Sequence, residues 1–165
     1  MGCCCAKASL LADWHFAVEG TPEQCLDILS TAEDWLRIIP GGKNLQKTDA
    51  TSFSIDTDIT IHIYDVKRNL DARAKIGDLG GPALSYAVKA SLKGGSKEDC
   101  KMIMHVNYDF TPAGEGATVR RQVVGFEQVG LWIVPLKYIV LHTMQAENKN
   151  MVELMKAVSI KQREN

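Results

Sequence analysis

Two charged residues interrupt faces of the chain that are otherwise apolar. Arg68 has the same parity as Val66 in an alternating stretch, so alternation predicts an inward side chain. Glu147 shares a helical stripe with Met144 and Met151. A charge removed from water must be paired, be coordinated or change its protonation state. We predict that Arg68 or Glu147 orients the polar end of a ligand. The alternative, that each lies at a water-exposed edge of its element, is equally open.

Two tyrosines, Tyr86 and Tyr108, fall on inner rows of predicted strands. Their hydroxyls could hydrogen-bond to a bound carbonyl, or they could simply pack. If the protein is an enzyme, Arg68, Tyr86, Tyr108 and Glu147 are the candidate catalytic residues, acting as acid, base or oxyanion partner.

Metal and nucleophile chemistry find little support in the sequence. The histidines at 15, 62, 105 and 142 lie far apart, and alternation sends the first three to polar faces. Cys25 lies on a helical stripe as a small hydrophobe, and no Gly-x-Ser-x-Gly motif occurs. We expect no metal and no cofactor.

Composition narrows the class of partner and the compartment. The net charge of −1 over 165 residues comes with no basic stripe, so we expect no nucleic-acid partner. The longest apolar run, residues 129–140, is broken by Gly130, Pro135 and Lys137, which makes it too short to span a bilayer. We expect a cytoplasmic protein with at most a transient, peripheral membrane contact, present as a monomer or a weak homodimer.

The N-terminus carries three adjacent cysteines after Met1 and Gly2. This start is similar to a dual-acylation signal on Gly2 and Cys3, although Ala6 stands where such signals carry Ser or Thr. A short frayed terminus is the alternative. We expect residues 1–10 to be a flexible Cys-rich segment, 11–160 a single domain and 161–165 a C-terminal tail.

The first third of the chain predicts one strand and two short helices. Residues 13–19 alternate polar and apolar side chains, as in a half-buried strand. Thr21, Pro22 and Gln24 form a helix start, with a capping box and proline in the first turn. A second helical piece over residues 32–38 ends at a Pro-Gly-Gly turn, residues 40–42.

The middle of the chain predicts strands. Period-two runs cover residues 53–64, 66–76, 84–92, 102–110 and 117–126, separated by turns at 77–82 and 93–99 and a loop at 111–116. Each run has one apolar and one polar face, which is typical of an antiparallel sheet covered on one side only.

The period changes to about 3.6 from residue 130 to about 161, which predicts a long helix. Its apolar stripe includes Thr143, Met144 and Met151, and its polar side includes Asn148 and Lys149. Only this helix is long enough to cover the apolar face of the sheet. The fold class is therefore α+β, a curved antiparallel sheet around a long C-terminal helix with two short helices after the first strand.

The order of the predicted elements and several short motifs together resemble those of a known protein superfamily. The motifs are residues 18–23 before the first helix, 39–42 after the second, 116–119 at the last strand, and the glycines at 125 and 130 flanking the approach to the terminal helix. Over residues 11–158 the chain resembles the START/Bet v 1-like (SRPBCC) superfamily with its helix-grip fold, nearest to the polyketide-cyclase-like members and to the CoxG-like members associated with carbon monoxide dehydrogenase. The resemblance implies a seven-stranded sheet and a cavity between sheet and helix, but no single chemistry. CoxG-like proteins often carry a further membrane-reaching tail; none follows residue 161 here, so we expect no fixed anchor.

Small and flexible residues on the inner rows predict a ligand cavity, because alanines leave room and methionines adapt to irregular shapes. The segment Ile39, Pro40, Gly41 and Gly42 is the predicted gate. The predicted ligand-binding residues are Ile59, Ile61, Arg68, Leu70, Ala72, Ala74, Tyr86, Val88, Met102, Met104, Val106, Tyr108, Leu136, Val140, Thr143, Met144, Glu147 and Met151.

Three functions follow as hypotheses. The first is a carrier or sensor of an apolar small molecule or lipid, of the lipid, quinone or isoprenoid class. The second is an interaction or assembly module for a redox enzyme such as a carbon monoxide dehydrogenase-like complex. The third is a cyclase- or hydratase-type enzyme, and we expect a non-catalytic protein before an enzyme.

Overall fold

The computed structural model describes the backbone of residues 11–61, 64–76, 82–93, 101–129 and 136–164, and the side chains of 11–57, 83–88, 103–127 and 141–164. The elements are β1 (Ala12–Glu19), α1 (Pro22–Ser30), α2 (Ala32–Ile38), β2 (Lys43–Lys47), β3 (Ser52–Ile61), β4 (Tyr64–Ile76), β5 (Pro82–Lys93), β6 (Lys101–Ala113), β7 (Gly116–Val129) and α3 (Leu136–Glu164).

Over the described ranges the strands form one seven-stranded antiparallel sheet, in the order β1-β7-β6-β5-β4-β3-β2. Helix α3 packs against β1 and α2, and α1 packs against β5 and β6. The predicted α+β architecture, a sheet around a long C-terminal helix, is confirmed. Since one face of the sheet is covered, the core lies between that face and the three helices.

Local sequence signals account for the first helices. The Thr21 hydroxyl accepts from the Gln24 amide at 3.3 Å, and the Gln24 side chain accepts from the Thr21 amide at 2.8 Å. This is the predicted capping box, with Pro22 as the first helical residue. Cys25 and Leu29 bury one face of α1, and Trp35 and Ile38 bury one face of α2.

Strand β2 was not predicted as an element of its own. Within Lys43–Lys47 only Leu45 is half-buried and its four neighbours are exposed, so the segment lacks the apolar alternation that marks a strand. Its pairing with β3 makes it a strand.

The hairpin between β6 and β7 is tighter than the predicted loop at 111–116. Residues 111–113 belong to β6 and Gly116 begins β7, which leaves Gly114 and Glu115 as the turn. Gly114 has φ +58°, and a Cβ on Gly116 would lie 2.3 Å from the Val18 carbonyl oxygen of β1. Glycine is therefore required at 116 by the close approach of β1.

The end of β7 also differs from expectation. The strand continues to Val129, and Gly125 lies inside it, opposite His105, rather than at its end. His105 pairs with Gly125 and Val106 with Val123, so Val124 is an extra residue of the kind found in a β-bulge.

The C-terminal helix is longer than predicted. Helix α3 extends to Glu164, so residues 161–164, expected as a tail, are helical. The domain boundaries themselves remain predictions.

Candidate functional site

A small cavity lies in the core between the sheet and α3. Its volume is about 10 Å³, roughly the room that one water molecule needs. Its lining combines apolar and polar side chains: Trp35, Tyr86, Val88, Met104, Val106, Tyr108, Arg121 and Glu147.

Arg121 is the central charge of this site. It lies on the inner row of β7 between the buried residues Val119 and Val123, pairs in register with Tyr108, and is 2% exposed. Its Nη2 donates to Glu147 Oε2 at 2.6 Å. Its Nη1 donates to Asn148 Oδ1 at 2.7 Å and to the Met144 carbonyl at 3.0 Å. Arg121 therefore connects β7 to α3 through hydrogen bonds to two successive side chains and one backbone carbonyl of the helix.

Aromatic faces complete the surroundings of the guanidinium. Its Cζ lies 5.2 Å from the ring centroid of Tyr108 and 5.9 Å from that of Trp14, both within cation–π range. Burial lowers the pKa of Arg121, and Tyr108 and Tyr86 oppose that shift. An arginine starts far above neutral, so the group stays charged. Among the described residues, its Nε–H has no acceptor in hydrogen-bonding geometry.

Glu147 is buried, with no measurable exposure, and pairs with Arg121. The prediction from the helical stripe therefore places the residue correctly, and the alternative of a water-exposed edge is wrong. Its neighbour Asn148, predicted on the polar side of the helix, is 8% exposed and accepts from Arg121. That prediction is wrong because one guanidinium reaches across the flank of α3 and binds both residues.

Three aromatic rings form the other wall. Trp35 Nε1 donates to the Leu29 carbonyl at 2.8 Å and to the Tyr86 hydroxyl at 3.0 Å. Tyr86 packs edge-on against Trp35 and Tyr108, with ring centroids 5.1 and 5.6 Å away. Burial raises the pKa of Tyr86 well above its usual value, so the phenol is protonated at neutral pH. An indole N–H only donates, so Tyr86 accepts from Trp35, and no acceptor for its own proton is found in the part of the chain with described side chains.

Of the nine predicted ligand-binding residues whose side chains are described, six line the cavity and three are buried on α3. Six line the cavity: Tyr86, Val88, Met104, Val106, Tyr108 and Glu147. Thr143, Met144 and Met151 are buried on α3. The remaining nine predicted residues have side chains outside the described ranges: Ile59, Ile61, Arg68, Leu70, Ala72, Ala74, Met102, Leu136 and Val140.

The backbone of Arg68 lies close to the strand segment that borders this cavity. It pairs in register with Ile55 and Ala90, and the pair two residues along is Leu70 with Val88 of the cavity wall. Arg68 is therefore roughly 7 Å along β4 from the register partner of a lining residue.

Comparison with solved structures identifies this architecture. A conserved protein from Geobacillus kaustophilus matches with TM-score 0.67 and 15% identity, over 88% of this chain and 94% of that one. A START superfamily protein from Mycobacterium smegmatis matches with TM-score 0.62 and 11% identity, over 89% and 97%. A STAR-related lipid transfer protein from Xanthomonas axonopodis, fragment 25–204, matches with TM-score 0.62 and 13% identity, over 87% and 84%.

The chain has a START-like fold. The predicted resemblance to the superfamily is confirmed at the level of fold, and the nearness to CoxG-like and polyketide-cyclase-like members stays a prediction. No protein-family model matches the chain, and no curated protein matches it.

The predicted gate of this START-like domain is held at two points. The Thr57 hydroxyl of β3 donates to the Pro40 carbonyl at 2.8 Å. The Asn150 side chain of α3 donates to the Ile38 carbonyl at 2.9 Å. Ile39 is buried, and Gly41 takes a positive φ of +65°. A movement of this segment would have to break both hydrogen bonds.

The other reactive side chains lie away from the cavity. His15 and His105 are exposed, as alternation predicts. Cys25 is buried with its Sγ 3.6 Å from Met155 Sδ, and burial raises its pKa to about 11. Across the described ranges, no group of three His, Cys, Asp or Glu side chains could hold a metal ion. No described helix is long and apolar enough to cross a membrane.

Sequence reasoning missed three residues of this site: Trp35, Arg121 and Asn148. Arg121 could have been found, because it shares its parity with Val119 and Val123 in the last strand. Trp35 lies in the predicted second helical piece, but its contact with Tyr86 joins positions 51 residues apart and leaves no local signal. Asn148 carries no signal either, since its burial depends on the partner across the core.

Proposed function

We propose that this protein binds an apolar small molecule or lipid between its sheet and α3, as a carrier or sensor. The observation that carries the proposal is a cavity at the centre of an apolar core, with Tyr86, Arg121 and Glu147 on its wall. Ligand sites commonly combine apolar walls with a few convergent polar groups of this kind. The likeness to a STAR-related lipid transfer protein supports the same proposal.

The size of the cavity sets a condition on binding. The part of the cavity that the described side chains enclose, about 10 Å³, accepts one oxygen-sized group but not a hydrocarbon chain, so a chain bound there requires these side chains to move. Met104 lines the site, and the methionines at 144 and 151 are fully buried on α3. Unbranched thioether side chains adopt new shapes at low cost, which suits them to this movement.

Native mass spectrometry of the protein purified from a lipid-rich host, followed by organic extraction, tests the proposal. We expect a co-purifying apolar adduct, or one formed on adding lipids or quinones. Val88→Trp fills the cavity wall and should remove the adduct. Ala87→Trp is the matched control. Ala87 is the neighbour of Val88 on β5, points to the opposite face of the sheet and is only half-buried.

The result is informative only if both variants are folded, which circular dichroism and thermal unfolding establish. An apo mass for the wild-type protein, with no adduct after adding lipids or quinones, contradicts the proposal. Equal adducts on Val88→Trp and Ala87→Trp place any bound molecule elsewhere and contradict it as well.

The two alternatives stay predictions. For an enzyme of the cyclase or hydratase type, the protonated phenol of Tyr86 suits a hydrogen-bond donor to a carbonyl rather than a general base. An assembly module for a redox enzyme would bind its partner through the protein surface and would be unaffected by Val88→Trp.

A further inference from the structure

Two side chains of the cavity wall each carry a hydrogen-bond donor without an acceptor among the described residues. One is the Nε–H of Arg121, on a side chain that is 2% exposed. The other is the O–H of Tyr86, whose oxygen already accepts from Trp35. Both side chains line the same cavity. Buried donors without partners are costly in a native structure, so a bound molecule that accepts from both would stabilise this arrangement.

The charge of the site selects among possible acceptors. Of the described side chains on the cavity wall, Arg121 carries a positive charge and Glu147 a negative one, 2.6 Å apart. The guanidinium is therefore already neutralised. A carboxylate entering the cavity would add a second anion in a medium that solvates charge poorly. A neutral oxygen adds none and still accepts two hydrogen bonds.

The space available points the same way. The cavity of about 10 Å³ holds a single oxygen atom without rearrangement, whereas a phosphate or sugar headgroup would require a much larger displacement of its walls. The remaining wall, formed by Val88, Met104 and Val106, is apolar.

We infer that the ligand is a neutral apolar molecule with one carbonyl or hydroxyl oxygen, which accepts hydrogen bonds from Tyr86 and Arg121, and that carboxylates are rejected. This inference rests on the proposed function and narrows its ligand class. It predicts that ketones, esters, quinones and alcohols bind more tightly than free fatty acids.

Three probes of matched length test it at pH 8, where a fatty acid in water is ionised. They are tridecan-2-one, dodecanoate and tridecane, which share a hydrocarbon chain and differ in the polar end. Dissociation constants come from the fluorescence of Trp35, which borders the cavity. The other tryptophans are replaced by Phe for this purpose. We expect the ketone to bind at least about tenfold more tightly than dodecanoate, because burying an uncompensated charge is unfavourable.

Two variants assign the preference to the named groups. Glu147→Gln leaves the Arg121 charge without its carboxylate counter-ion. The affinity for dodecanoate should therefore rise at least about tenfold relative to the affinity for the ketone. Tyr86→Phe removes one donor and should weaken binding of the ketone several-fold more than binding of tridecane. If Glu147→Gln does not fold, the Tyr86→Phe comparison still decides the role of the hydroxyl.

The outcomes separate this inference from the proposed function. Wild-type protein that binds dodecanoate as tightly as the ketone, with Val88→Trp abolishing both, overturns the inference and supports the proposed function. Equal loss of ketone and tridecane binding in Tyr86→Phe also overturns the inference. Failure of all three probes to bind the wild-type protein counts against the proposed function itself.

Discussion

The buried ion pair between Arg121 and Glu147 should contribute strongly to the stability of the fold. Arg121→Met removes the hydrogen bonds to Glu147, Asn148 and the Met144 carbonyl and leaves the Glu147 carboxylate in the core. Removing one partner of a buried ion pair typically costs about 3–5 kcal/mol. A domain of this kind has roughly 5–15 kcal/mol of total stability. We therefore expect the variant to lose a large part of its unfolding free energy.

Urea unfolding followed by circular dichroism and tryptophan fluorescence measures the loss. The matched control is Arg120→Met, the adjacent arginine on the outer face, which pairs with Asp13 at 2.8 Å in contact with water. It should change stability far less, since water screens exposed ion pairs. The double variant Arg121→Met with Glu147→Leu removes both charges and should recover most of the lost unfolding free energy. The recovery should fall short by about 1 kcal/mol for each of the two α3 acceptors that lose their donor, the Met144 carbonyl and Asn148 Oδ1.

Two results would refute this reasoning. If Arg121→Met is no less stable than Arg120→Met, the pair contributes no net stability beyond that of a surface contact. If the double variant is as unstable as Arg121→Met, the loss comes from packing of the arginine stem and not from removing the guanidinium that neutralises the Glu147 carboxylate.

Three further predictions concern parts of the fold outside the ion pair. The folded-state pKa of Cys25, about 11, lies above the unfolded value of 9.0, so its contribution to stability is present below pH 9 and lost as pH rises to about 11; the advantage of wild type over Cys25→Ala in urea unfolding should shrink over that range. Gly116→Ala places a Cβ 2.3 Å from a backbone oxygen of β1 and should lower the melting temperature more than Gly114→Ala, where only the positive φ opposes the change; the reverse order would contradict the packing argument. Thr57→Val removes the bond to the Pro40 carbonyl, and if this segment is the gate, stopped-flow measurements should show faster ligand dissociation at little cost in stability; unchanged rates would move the gate elsewhere.

Local patterns in the sequence were enough to identify most elements and the face that each one buries. Period-two alternation marked the inner rows that carry Tyr86 and Tyr108, and the helical period placed Glu147 on the buried stripe of α3. The capping box at Thr21 set the start of α1. These features follow from neighbours one to four residues apart, so they can be recognised without knowing how the chain folds back on itself. The same local rules failed for β2, whose exposed residues become a strand only by pairing with β3.

Which side chains meet depends on how the elements pack in three dimensions. Arg121 and Glu147 are 26 residues apart and Trp35 and Tyr86 are 51 apart, and no local pattern couples either pair. The register of β7 on β6 and the path of α3 across the sheet bring the guanidinium to Glu147 and draw Asn148 into the core. A periodic pattern reports the direction of a side chain relative to its own element, whereas a site depends on the distances between elements. The inward direction of Tyr86, Tyr108, Glu147 and Arg121 could therefore be predicted from the sequence, whereas the contacts of Arg121 with α3 became evident only in the folded chain.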